Sequence, residues 1–104
     1  MNTVEVLRGA RTLTERGWCQ NNYALDLKDR PVENWHSDAV RWCIAGAVDR
    51  VVRYDIKLRN AALDAIRETI GGEESALDWN DAPERTQAEV LKALDDTIAR
   101  LEAK

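Results

Sequence analysis

Apolar positions in this chain recur mostly at spacings of three and four, the signature of amphipathic helices. The densest run is Ser37 to Val52, where Val40, Cys43, Ile44, Ala47, Val48 and Val51 line one face and Ala39, Trp42 and Gly46 form a second strip beside it. A helix apolar over so wide an arc must be covered on two sides, so this segment is expected to be the central helix, running to about Tyr54. Ser37 or Asp38 is placed to cap its start, because a short oxygen-bearing side chain accepts a hydrogen bond from a free N–H of the first turn.

Asn2 to Arg16 reads as the first helix, with Val6, Leu7, Ala10 and Leu13 on one face and a capping box formed by Asn2 and Glu5. Gly17 suits the left-handed residue that closes a helix, which sets Trp18 against Leu13 in a Schellman arrangement. From Cys19 to Asn34 the helical period disappears. Tyr23, Leu25 and Leu27 alternate with Ala24 and Asp26 before a break at Lys28 to Pro31, which predicts a short hairpin or extended arm.

Asp55 offers the cap of a third helix over about Ile56 to Ile70, apolar at Leu58, Ala62, Leu63, Ile66 and Ile70 and ended by Gly71 and Gly72. Ser75 to Trp79 reads as a single short turn of helix leading into the turn formers Asn80, Asp81, Ala82 and Pro83. Thr86 and Glu89 make the clearest capping box, opening a last helix from Gln87 to about Glu102 that buries Val90, Leu91, Leu94, Ile98 and Leu101. The predicted fold is mainly all-α: a compact bundle of about four helices with a hairpin-like insertion between helices 1 and 2. Residues 1–104 are expected to form one domain, since a chain of 104 residues is long enough for one core and too short for a second.

Four Trp, two Tyr and no Phe make each Trp worth separate attention, because an indole brings a large apolar surface and an N–H that seeks a partner. The formal net charge of −4 counts against a general nucleic-acid binder. The charge is uneven, however, and Arg50, Arg53, Lys57 and Arg59 form a local basic run. A solvated helix face is the ordinary account of such a run; contact with phosphate or an acidic partner is the alternative.

The amino terminus carries charges where a secretory signal would need a continuous apolar run, and no stretch approaches the roughly 20 apolar residues that span a bilayer. The expectation is a cytoplasmic protein without a membrane association, in which Cys19 and Cys43 are reduced thiols. A cysteine-dependent hydrolase or transferase would use Cys43 as nucleophile and His36, the single histidine, as base. Core packing is the competing account, since Cys43 is in register with Val40, Ile44 and Ala47. Cys19, His36, Asp38 and Cys43 show none of the usual zinc spacings, and the glycines lie in the wrong context for a phosphate loop, so neither metal nor cofactor is expected.

The loops hold more polar and aromatic detail than turns of their length require. Gln20 and Tyr23 lie in the first, Asn80 and Asp81 in the second, and Arg41 stands at the start of the expected central helix. If the bundle gathers these segments at one end, Arg41 pairs with Asp81, and the amides of Gln20 and Asn80 frame a polar binding pocket walled by Trp42 and Trp79. The competing account has the same contacts fastening the loops to the bundle.

The blocks GWxQxxYA (Gly17 to Ala24), RPV (Arg30 to Val32), AVRWCxxGA (Ala39 to Ala47) and WNDAPxRTxxEV (Trp79 to Val90) together resemble a family of small uncharacterised bacterial and phage proteins. The resemblance spans nearly the whole chain and implies a shared fold and a bacterial or prophage origin, with no assigned activity. Against that family's pattern, Cys19 stands for a usual Thr, Asn21 for a usual Gly, and Lys28 and Asp29 replace an Asp-Gly turn. With no catalytic constellation in view, the expected function is a non-catalytic protein-interaction module, an inhibitor of a host or defence protein being its concrete form by analogy. Its protein partner and oligomeric state are not encoded in any motif.

Overall fold

A computed structural model describes residues 1–104. The chain runs α1 (Thr3–Arg16), β1 (Ala24–Leu25), β2 (Arg41–Trp42), α2 (Ile44–Val52), α3 (Ile56–Thr69), α4 (Ala76–Asn80) and α5 (Gln87–Glu102). The bundle is thus mainly helical, with a small antiparallel hairpin between its first two helices. Helix α1 packs chiefly against α5 and α2, and α3 closes the bundle against α2 and α5. The centre is therefore shared: Val6, Leu7 and Ala10 of α1 are as fully buried as Ile44, Ala47 and Val48 of α2, and Ile66, Val90 and Leu94 complete the core. No helix is long and apolar enough to cross a membrane.

The helix ends follow local chemistry where that chemistry is unambiguous. Asn2 accepts from Glu5 N while Glu5 accepts from Asn2 N, and Thr86 and Glu89 form the equivalent pair, so both capping boxes are made. Asp55 caps α3 by accepting from Leu58 N at 3.0 Å. At the other end of α3, Gly71 and Gly72 both take positive φ and Gly72 N–H reaches back to Arg67 O at 2.8 Å, the long bond of a Schellman motif.

The central helix departs from its sequence pattern. It starts at Ile44, not near Ser37, and ends at Val52, not Tyr54. Ser37 and Asp38 lie in a turn, and Arg41 and Trp42 are extended because β1 competes for their backbone: Val40 N–H donates to Leu25 O, and Cys43 N–H to Tyr23 O. A second contact fixes the same stretch, with Trp42 N–H donating to Gly17 O and Cys19 N–H to Trp42 O. The second strand of the hairpin thus comes from beyond the loop expected to hold both strands.

Two glycines make this close packing possible. A Cβ on Gly46 would collide with the Tyr23 carbonyl, and one on Gly17 with the Val40 carbonyl. Gly17 is extended, with φ −170°, rather than left-handed. Its role is close approach, and no Schellman motif forms there, so Trp18 is free to reach the far loop.

Candidate functional site

At the end of the bundle where the two loops meet, everything converges on Asn80. Its side chain is fully buried and all of its hydrogen-bonding capacity is engaged. Oδ1 accepts from Trp18 Nε1 at 2.7 Å and from Ile44 N at 3.0 Å. Nδ2 donates to Cys19 O at 3.2 Å and to Asp81 Oδ1 at 2.9 Å. Around it, Gln20 Nε2 donates to the carbonyls of Asn80 and Ala82, and Asn21 N–H donates to Asp81 Oδ1. Arg85 covers the outer side, its guanidinium 4.0 Å from the centre of the Trp79 ring and its Nε–H on Trp79 O.

The structure thus brings Gln20, Asn80, Asp81 and Trp79 to one end of the bundle, the condition on which a pocket there depended, but turns their polar atoms on each other. The Arg41–Asp81 pair does not form: strand β2 carries Arg41 toward the hairpin loop, where it pairs with Asp29 and donates to Asp26 O. Trp42 is buried and its indole N–H donates to Asn34 O at 3.0 Å, so it makes no hydrogen bond to Asn80. Of the seven residues proposed for binding, only Tyr23 is exposed.

Both thiols are sequestered. Cys43 is 0% exposed, and its Sγ caps α2 by accepting from Gly46 N at 3.2 Å; burial pushes its pKa up to about 11. His36 is engaged elsewhere, Nδ1 accepting from Asp38 N at 3.0 Å, so the base required by a Cys43 nucleophile is not beside it. Cys19, expected in a polar loop, is buried under that loop with its thiol donating to Asn22 O, and desolvation raises its pKa to about 12. The same sign at both sites keeps the thiols protonated near neutral pH. No three side chains of His, Cys, Asp or Glu are grouped as a metal site would need.

The clamp unites three of the four sequence blocks quoted above, those at Gly17 to Ala24, Ala39 to Ala47 and Trp79 to Val90, and the family comparison covers the whole span: residues 1–100 match a family described as a family of unknown function, DUF6197. The chain belongs to DUF6197. No curated protein and no solved structure matches. The two loop positions where this DUF6197 chain lacks an expected glycine keep glycine-like backbones, Asn21 at φ 67° and Asp29 at φ 61°. Asn and Asp tolerate that region better than other residues apart from glycine.

One surface was not visible in the sequence pattern. Trp35 and Tyr54 are 63% and 90% exposed, and Ile56 beside them is 63% exposed. They border an open groove of about 590 Å³ between the Glu33–Asp38 turns and the α2–α3 corner. Periodicity misleads here: Tyr54 has Val51 three residues before it and Leu58 four after, and Trp35 has Val32 and Ala39 at the same offsets, but both aromatics fall in turns outside the helices, where that spacing no longer sets the direction of a side chain.

Proposed function

We propose that this small, compact DUF6197 domain is a non-catalytic protein-interaction module of bacterial or phage origin. An inhibitor of a host or defence protein is the concrete form favoured by the resemblance, and only by it. The observation that carries the reading is the contrast between inward and outward chemistry. Cys43 is buried and engaged as a helix cap, whereas large aromatic side chains stand in solvent on a rigid helical scaffold. Within this reading, Gln20, Asn80 and Asp81 fasten the scaffold, Arg41, Trp42 and Trp79 support the loops, and Tyr23 is the member of that set available to a partner. Affinity capture from the native host, with bound protein and bound nucleic acid both analysed, tests it. Specific recovery of a protein is expected. Recovery of nucleic acid without protein would overturn the reading in favour of phosphate contact through the Arg50 to Arg59 patch.

A further inference from the structure

Three of the six large apolar side chains that the molecule leaves exposed, Trp35, Tyr54 and Ile56, border the same groove. That concentration is unusual for a surface that serves only solubility. The turn carrying Trp35 is held firmly, because Asn34 O accepts both the Trp42 indole N–H and an Arg50 guanidinium N–H at 3.0 Å. The aromatic wall is therefore presented by a fixed backbone rather than a loose loop.

The electrostatics of the groove differ from those of the chain. Three cations, Arg50, Arg53 and Arg59, line the groove against one carboxylate, Asp49, on a protein of net charge −4, and Asp55 and Lys57 flank the lining residue Ile56 in sequence. Arg59 is paired with Asp49, and Arg50 is engaged by the Asn34 carbonyl and lies over the Trp42 ring. Asp55 accepts from Leu58 N at the start of α3. Arg53 and Lys57 are exposed and have no ion pair or side-chain hydrogen bond within the chain. Arg53 also occupies an unfavourable backbone position. Its φ of 60° and ψ of −106° place it at the first corner of a turn closed by Asp55 N–H on Val52 O, a position normally filled by glycine. No internal contact of the guanidinium compensates that strain.

We infer that this groove is a docking site for a short acidic segment of a partner protein. An apolar side chain of the segment enters between Trp35, Tyr54 and Ile56, and flanking carboxylates pair with Arg53 in the groove and with the exposed Lys57 that follows Ile56 in the chain. The inference rests on the interaction reading above and names its surface and the chemistry of its partner. A nucleic-acid strand fits less well. It brings a phosphate with every nucleotide, the groove itself has one uncommitted cation, Arg53, for them, and Asp49 and the overall negative charge oppose a polyanion.

The test is selection of short random peptides, displayed as a library, against the full chain. Selected sequences should place Asp or Glu on both sides of an aliphatic or aromatic residue. They should bind the double variant Arg53→Glu, Lys57→Glu about tenfold more weakly than the parent, and Tyr54→Ala more weakly as well. Both variants alter exposed side chains only, and melting curves matching the parent confirm that the fold is kept. Selected peptides without carboxylates, or binding indifferent to both variants, would overturn the assignment. So would oligothymidylate or oligouridylate that binds the parent more tightly than any peptide and is lost in the double variant. Should a host protein captured by the parent be captured equally by the double variant, the groove is refuted while the interaction reading stands. Failure to capture any protein removes the interaction reading itself.

Discussion

Asn80 caps the helix that begins at Ile44: its Oδ1 accepts from Ile44 N–H at 3.0 Å across 36 positions of sequence. Helix α2 starts abruptly after a strand, and its nearest cap is the Cys43 sulfur, a weak acceptor. The buried carboxamide supplies the stronger acceptor and at the same time ties α4 to the Trp18–Cys19 segment. It is a fully satisfied polar centre within an apolar core, and so a place where a single atom matters.

Asn80→Ala is accordingly expected to lower unfolding free energy by about 3 kcal/mol, because it strands the Ile44 N–H, the Trp18 indole N–H and the Cys19 carbonyl. Denaturant titration measures this directly. A midpoint equal to the parent's would show that the clamp contributes little.

The sequence legibly marked the caps of α1, α3 and α5, since Asn2, Asp55 and Thr86 act on residues only three positions away. The start of α2 was illegible for the opposite reason. Ala39 to Cys43 fits a helical period, and what makes it extended is pairing with Leu25 and Tyr23 and the acceptor brought by Asn80. The site divides in the same way. Composition drew attention to Gln20, Asn80 and Asp81, but only the fold decides that their polar atoms face each other. Trp35 and Tyr54 escaped notice because apolar neighbours at helical offsets, Val32 and Ala39 for one and Val51 and Leu58 for the other, suggest burial, whereas both residues lie in turns outside the helices.

Gly46→Ala tests the approach of the hairpin to α2. The added methyl meets the Tyr23 carbonyl, a backbone atom that moves only if the strand pairing moves with it, so a loss of about 3 kcal/mol or failure to fold is expected. Gly71→Ala is the control. It meets no atom and costs only the positive φ of 114°, about 1 kcal/mol. Equal thermal melting of the two variants would contradict the close approach.

Both thiols should react slowly with a thiol reagent in the native protein and rapidly once denaturant is added. Burial lifts Cys43 to about 11 and Cys19 to about 12, from an ordinary value of 9.0. The unfolded chain therefore loses these protons first as pH rises, and their contribution to stability declines from about 9 toward 11 and 12. A fast native reaction at either cysteine would refute the sequestration.

Acid should loosen the hairpin loop through Asp26. Its carboxylate accepts from the backbone N–H groups of Arg30 and Lys28 and from the Arg30 side chain, which holds its pKa below the ordinary carboxylate value. The stabilisation is complete above that ordinary value and is lost as pH falls through the depressed one. In urea titrations on an acidic pH series, Asp26→Asn should flatten this part of the decline. An unchanged acid profile would show that the carboxylate is not coupled to folding.

Arg53→Gly separates stability from binding. The turn at Val52–Asp55 asks Arg53 for a backbone that costs a non-glycine residue on the order of 1–3 kcal/mol. Glycine removes that strain while making the unfolded chain freer, a penalty of about 0.4–1 kcal/mol, so a net stabilisation of about 1 kcal/mol is expected. The same change removes a guanidinium that has no partner within the chain, and weaker binding of the selected acidic peptides should accompany the higher melting temperature. Arg53→Lys keeps both charge and strain and should leave both properties near those of the parent. A glycine variant that is less stable would mean the arginine supports the fold. One that is more stable and binds equally well would leave the strained arginine without a role in recognition.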